Sequence, residues 1–294
     1  MYMKKIISLF AVLFCTAAAQ AHTVDATAAY TGASHFDKVH VRALTALTLN
    51  VQAGLEATWA NEHRLFKDPV YSAAMPLVLN FELMQFQVRP FYYFKNKSDQ
   101  PAFQDAQAFG VETKLLLTLN DDTVNDLYTR AFLGASFARQ KGTVFFKDDP
   151  DSNQYYSQAA YTFGLAQDFY QAFTFRVAGT AFQYPNGIHN VAGVRSILDQ
   201  QQLADTQTLD IVHDLAKYAL SARITRQWSD TGASFYLAYR FAEYYTADSQ
   251  HSVLVGNSFP ITSQISLGVA YNHLRSAHNT DKRDIGQARL EILF

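Results

Sequence analysis

Gly286-Gln287-Ala288-Arg289-Leu290-Glu291-Ile292-Leu293-Phe294 is the stretch whose reading decides the fold. Alternate positions give Gly286, Ala288, Leu290, Ile292 and Phe294 on one side, and Gln287, Arg289, Glu291 and Leu293 on the other. Successive side chains of an extended strand point to opposite faces, so one face here is apolar and the other carries charges of both signs.

Working outward, the same period of two recurs along the chain in segments of about ten residues. Val51, Ala53, Leu55, Ala57 and Trp59 alternate with Gln52, Gly54, Glu56, Thr58 and Ala60. Met84, Phe86, Val88, Pro90 and Tyr92 alternate with Gln85, Gln87, Arg89, Phe91 and Tyr93. Phe235, Leu237, Tyr239 and Phe241 oppose Tyr236 and Arg240, and Ile265, Leu267, Val269 and Tyr271 oppose Ser266 and Asn272. Placing turns between such runs predicts strands at 24–32, 38–47, 51–61, 70–79, 84–95, 106–119, 127–139, 155–167, 172–183, 216–228, 233–247, 251–259, 264–275 and 284–294. That is fourteen; Pro76 inside 70–79 and the shortness of 251–259 leave twelve as the alternative. The connections at 48–50, 80–83, 120–126, 168–171, 229–232 and 260–263 are short. Those at 61–69, 96–105, 140–154, 184–215 and 276–283 are mostly longer and more polar. Within the longest, Ile197–Leu209 contains Gln200-Gln201-Gln202 and reads as partly helical, a segment that narrows a mouth or lies over it.

At the other end, Lys4 and Lys5 precede an apolar run from Ile6 to Ala19 and the small-residue site Ala19-Gln20-Ala21. This is a secretory signal pattern, too short for an ordinary spanning helix, with cleavage expected after Ala21 and His22 as the first mature residue. Residues 22–294 then form one domain. Cys15 follows Phe14 rather than a small residue, so lipidation is not expected. Beyond it there is no cysteine, hence no disulfide, thiolate metal site or thiol nucleophile. A net charge of −2 excludes bulk nucleic-acid binding. Only 17% of residues are charged and 14% are aromatic. With a mean hydropathy of −0.11, the chain is polar on average yet rich in Tyr and Phe, as expected where lipid-facing and water-facing residues alternate.

The last strand resembles the C-terminal strand of Gram-negative outer-membrane β-barrels, in which a final aromatic preceded by alternating apolar residues is read by the barrel-assembly machinery. On that resemblance Phe294, Ile292 and Leu290 are the assembly signal. It implies an all-β fold, a transmembrane antiparallel up-and-down barrel in the bacterial outer membrane, with both termini on the periplasmic side. The implied partners are outer-membrane lipid, the assembly machinery, periplasmic chaperones and small solutes. Aromatics fall near strand ends as an interfacial belt requires: Trp59, Tyr71, Tyr92, Phe94, Phe137, Tyr156, Tyr239, Phe241 and Tyr271 toward the outer boundary, and Phe81, Phe169, Tyr170, Trp228, Phe259 and Phe294 toward the inner one. The alternative, a soluble β-sandwich with buried aromatics, is not excluded by alternation alone.

Parity puts Arg42, Glu56, Arg89, Glu112, Lys114, Arg130, Arg176, Arg223, Arg240, Arg289 and Glu291 on the lumen side, eight cations and three anions. A Lys or Arg facing lipid at the midplane costs ~2–4 kcal/mol, which is why these face inward. Two readings stand together: a cationic lumen that favours anions, and Arg–Glu pairing that stiffens the wall and leaves little net field. Phe91, Tyr93, Tyr128, Phe132 and Tyr236 lie among them, as a stacking track for sugars or as filling.

Catalytic constellations are weak. His251-Ser252 and Ser34-His35 are adjacent in sequence, so in a strand their side chains point to opposite faces, and no orienting third group is apparent. Asp148-Asp149-Pro150-Asp151 reads as a solvated loop tip rather than a calcium site. His189 and His213 lack metal-ligand spacing, and an N-terminal His22 of the kind copper monooxygenases use belongs to soluble sandwiches. No cofactor, metal or catalytic activity is expected. The architecture resembles porins, implying a monomeric passive channel for small hydrophilic solutes, with anions as one option. The rival expectations are a closed structural or adhesion barrel and an outer-membrane lipid hydrolase.

Overall fold

The computed structural model describes residues 24–62, 69–94, 107–122, 127–143, 153–169, 172–185, 188–190, 195–198, 213–277 and 282–293. The signal segment, the loop tip at 148–151 and Phe294 lie outside them.

Fourteen antiparallel strands close into one barrel. They are β1 (Val24–Ala33), β2 (Phe36–Thr48), β3 (Val51–Glu62), β4 in two pieces (Val70–Ala74 and Leu77–Asn80), β5 (Met84–Tyr93), β6 (Gln107–Asp122), β7 (Leu127–Thr143), β8 (Asn153–Phe169), β9 (Phe173–Gln183), β10 (Ala216–Gln227), β11 (Ser234–Tyr244), β12 (Gln250–Pro260), β13 (Ile265–Ser276) and β14 (Lys282–Leu293). Each pairs with its sequence neighbours, and β1 pairs with β14 over Asp25↔Leu293 to Ala33↔Ile285, so no edge is left. Closure gives every strand a partner on both sides, which hydrocarbon demands. All but one of the predicted strand bounds agree within three residues; the exception is β7, which runs four residues further than expected.

The break in β4 has a chemical cause. Register is kept across it, Glu56↔Ala74 and Ala53↔Leu77 on one side, Ala74↔Phe91 and Leu77↔Val88 on the other. Gly54 N donates to Pro76 O (2.9 Å) and Met75 N to Pro90 O (3.0 Å). Neither proline has an N–H to return, so the carbonyls of Gly54 and Met75 lose the reciprocal ladder bonds. Two prolines on adjacent strands thus remove two ladder bonds from one stretch of the wall.

The registers sort side chains by parity. Leu55, Phe109, Leu133, Phe163, Phe175, Leu220, Leu237 and Val269 stand outward and between about two and three fifths exposed, from 43% (Leu133) to 55% (Phe163). A closed sheet with such a belt cannot be a soluble sandwich, because this area of apolar surface is stable only against lipid. One aromatic departs from expectation. Tyr156 does not join the outer belt; it pairs with Gln140 on the inner face and is 2% exposed, while its neighbour Tyr155 points outward. Ser34-His35 forms the two-residue turn between β1 and β2, His35 taking a left-handed φ of 72°, so this pair serves a turn.

Candidate functional site: a charged lumen beneath a narrowed mouth

The eleven ionisable residues assigned to the inside share one parity. Register links Arg42 to Glu56, Arg89 to Glu112, Arg130 to Ala166, Arg176 to Arg223, and Arg223 to Ala238, all on the inner face. Nine of them line one cavity of about 570 Å³; Arg130 and Arg176 share the face but not that lining. The structure adds inner-face charges that sequence reasoning missed. Lys38 faces Ala60; Asp25 bonds Arg42 (3.3 Å); Asp168 pairs with Arg130; and Arg283 reaches across to Glu62 (3.6 Å). Asp168 escaped because it was placed in a turn, whereas β8 runs to Phe169.

The charge is not spread evenly. Between β3 and β6, Arg89 binds two carboxylates at once. Its Nε donates to Glu56 (2.6 Å) and its Nη1 to Glu112 (2.9 Å), with 12% or less of each of the three side chains exposed. The Glu56–Arg89 contact crosses β4 where Pro76 interrupts the ladder, so this clasp ties β3 to β5 and β6 over that stretch. Arg289 pairs with Glu291 along β14. By contrast, the inner face of β9 to β11 carries Arg176, Arg223 and Arg240, and no Asp or Glu among the described residues.

Arg176 and Arg223 are direct cross-strand partners, an arrangement that like charges disfavour. Each guanidinium is drawn over a different ring. Arg176 lies 4.2 Å from the centre of Phe132 and Arg223 4.0 Å from that of Tyr236, with the Lys114 ammonium 5.6 Å from the same Phe132 ring. Both rings lie flat on the wall because a glycine faces each. A Cβ at Gly164 would sit 1.9 Å from Phe132 Cζ, and one at Gly256 would sit 2.3 Å from Tyr236 Cζ. These rings are therefore platforms for cations, built into the wall. Phe91 and Tyr93 meet edge-on at 5.9 Å nearer the mouth.

The mouth is apolar and partly filled. From the long connection between β9 and β10, Ile197 and Leu198 pack inward against Phe36, Ala60, Val70, Ala74, Phe91, Ala108 and Ala138. Two glutamines hold that segment. Gln140 donates to Ser196 Oγ (2.9 Å) and accepts from Ile197 N (3.2 Å), and Ser196 Oγ also reaches Gln158 (3.4 Å). The base of the same connection packs Tyr184, Ile188 and Leu215 against Tyr156, Phe182 and Tyr244. Burial holds the Tyr184 phenol well above its ordinary range, so it stays neutral and donates to the Ala216 carbonyl (3.0 Å). Of the 197–209 segment expected to be partly helical, only Ile197 and Leu198 are described. Residues 188–190 form one 3-10 turn, and Arg195-Ser196 pairs in extended form with His213-Asp214; residues 199–212 lie outside the described residues.

His251 and Ser252 do point to opposite faces. His251 meets the Tyr239 hydroxyl outside (2.6 Å), and Ser252 donates to Asn272 inside (2.7 Å). His189 stacks on Tyr245 at 4.4 Å, and His213 is strand-paired with Ser196.

No protein-family model matches the chain, and no curated protein does. Solved structures do. One is the CymD monoaromatic hydrocarbon channel, with a TM-score of 0.55, 6% identity, and 92% of this chain and 88% of that one covered. OccAB1 from Acinetobacter baumannii matches with a TM-score of 0.50 at 8% identity, covering 92% of this chain and 95% of that one. CdiB from Acinetobacter baumannii gives 0.50 at 8% identity, over 92% of this chain and 60% of that one. At such identities the likeness is one of fold. The fold is that of the porin-like outer-membrane barrels, and with the apolar belt it puts the chain in a bacterial outer membrane.

Proposed function

We propose that the barrel is a passive channel for small hydrophilic solutes, with a preference for anions. The observation that carries the reading is the uneven charge of the lumen. Glu56 and Glu112 offset Arg89 on one side, while the inner faces of β9 to β11 carry three arginines and, among their described residues, no Asp or Glu. An excess of cations on one wall of a narrow aqueous passage lowers the barrier for negative solutes and raises it for positive ones. Selection is by size and field, and no covalent step is needed. In the same reading the mature chain begins at His22, acts as a monomer, and is inserted by assembly machinery that reads Leu290, Ile292 and Phe294; Leu290 and Ile292 are placed on the outward face by their register with Leu267 and Ile265.

A second reading is favoured by a specific observation. Ile197 and Leu198 bury themselves in the mouth, as they would in a closed barrel with a structural or adhesive role. Single-channel recording of the refolded mature chain in planar bilayers separates the two. A channel gives steady ohmic steps and, under a salt gradient, a reversal potential of anion-selective sign. A closed scaffold gives no steps. A lipid hydrolase has least support, since its best candidate pair is divided by the wall.

A further inference from the structure

The outward surface is apolar around most of its girth, but at the long-loop end of β12 to β14 it turns basic. His251, Arg275 and Lys282 are consecutive cross-strand partners, His251↔Arg275 and Arg275↔Lys282. Their parity is that of Val253, Tyr271 and Val269, the lipid side. Neighbouring strands lie about 4.8 Å apart, so three basic side chains form one row roughly 10 Å wide. Arg275 and Lys282 stand directly opposite each other, a pairing that like charges destabilise unless an anion lies between them.

Among the described residues of β12 to β14, the one outward acid is engaged elsewhere. Asp284, one row nearer the membrane, accepts from Tyr271 Oη and pairs with His273 Nδ1 at 2.8 Å. Glu243, on β11, stands beyond Phe241, the residue paired with His251, and so is two strands from Arg275. Tyr239 and Tyr271 lie just below the basic row, at the level where aromatic residues mark the boundary between hydrocarbon and headgroups. Tyr239 donates to or accepts from His251 there (2.6 Å).

We propose that His251, Arg275 and Lys282 bind the phosphate of a phosphorylated lipid headgroup in the outer leaflet. The chemistry is suited to it. A guanidinium engages two phosphate oxygens at once, an ammonium supplies a second charge, and the imidazole adds one more donor. The anion relieves the Arg275–Lys282 repulsion, and the lipid's acyl chains lie along the outward Val253, Val255 and Val269 beneath. The inference depends on the membrane placement and not on conduction, so a barrel that passes no current leaves it untouched.

The test uses the folded mature barrel in detergent, titrated with diphosphoryl lipid A, with dephosphorylated lipid A and with inorganic phosphate, bound lipid being read by native mass spectrometry. One diphosphoryl lipid is expected to bind. Arg275→Gln with Lys282→Gln should weaken that binding by about tenfold or more, the equivalent of one lost charge-assisted contact. Arg139→Gln with Lys141→Gln, which removes two outward cations from β7 at the same rim, should leave it within twofold. Equal binding of the dephosphorylated lipid, equal loss in the β7 variant, or complete competition by millimolar inorganic phosphate each overturns the proposal. Both pairs stand on the outward face at the loop-end rim, and unchanged circular dichroism and heat-shifted gel migration show that the variants fold.

Discussion

Replacing Arg89 with Met tests the clasp over the proline-interrupted wall. The substitution removes two hydrogen bonds of 2.6 and 2.9 Å and leaves Glu56 and Glu112 facing one another without the guanidinium between them. Removing one member of a buried ionic group costs about 3–5 kcal/mol, and a lumen with some access to water puts this case near the lower figure, about 3 kcal/mol. With a denaturant slope of roughly 3 kcal/mol/M, the urea midpoint of the barrel in lipid vesicles should fall by about 1 M. Trp59 stands on β3 beside this stretch, so in a Trp228→Phe background its fluorescence reports the transition locally. The decisive control is the triple variant Arg89→Met, Glu56→Gln, Glu112→Gln, which removes the opposed charges together and should recover at least half of the loss. A single variant with an unshifted midpoint, or a triple variant no more stable than the single, refutes the idea that the clasp compensates for the two prolines.

Gly164→Ala forces a methyl to within 1.9 Å of Phe132 Cζ and should cost about 1–3 kcal/mol by overpacking, read as a lower unfolding midpoint; adding Phe132→Leu should return most of it. Arg176→Gln with Arg223→Gln should shift the reversal potential toward zero while stability holds or rises by about 0.5 kcal/mol, because an opposed like-charge pair disappears. Ile197→Ser with Leu198→Ser removes the apolar anchor of the inward segment, and single-channel conductance should rise; an unchanged step size would mean that this segment does not set the passage.

Much of the fold was legible because hydrocarbon enforces parity so strictly. A charge on the wrong face is expensive, so Arg42, Arg89 and Arg223 could be placed inward without knowing which strand each would meet. Even the exception carried its own signal. Counting back in twos from Leu165, Phe163 and Tyr161, all outward, assigns Tyr155 to the lipid and Tyr156 to the interior. What was not legible depends on partners far apart in the chain. Phe132 covers Gly164 only because the β7–β8 register aligns them, and that register is set by a nine-residue connection whose span no local pattern reveals. The Glu56–Arg89–Glu112 clasp joins three strands, and the hold of Gln140 on Ile197 crosses 57 residues. Pro76 was readable as a defect in a strand, but its consequence appeared only beside Pro90, on the strand next to it.

The inward charges also guard the barrel's own construction. Two neighbouring strands misaligned by one residue would turn every side chain of one of them inside out. On β5 that error would expel Arg89 into the acyl chains, on β10 Arg223, on β11 Arg240, each at a cost of ~2–4 kcal/mol near the midplane. A strand of Val, Leu and Phe alone would tolerate such a slip at little cost. Ions that a solute would meet in the finished passage thus act earlier as error detectors, rejecting misthreaded hairpins while the wall is still being sewn together.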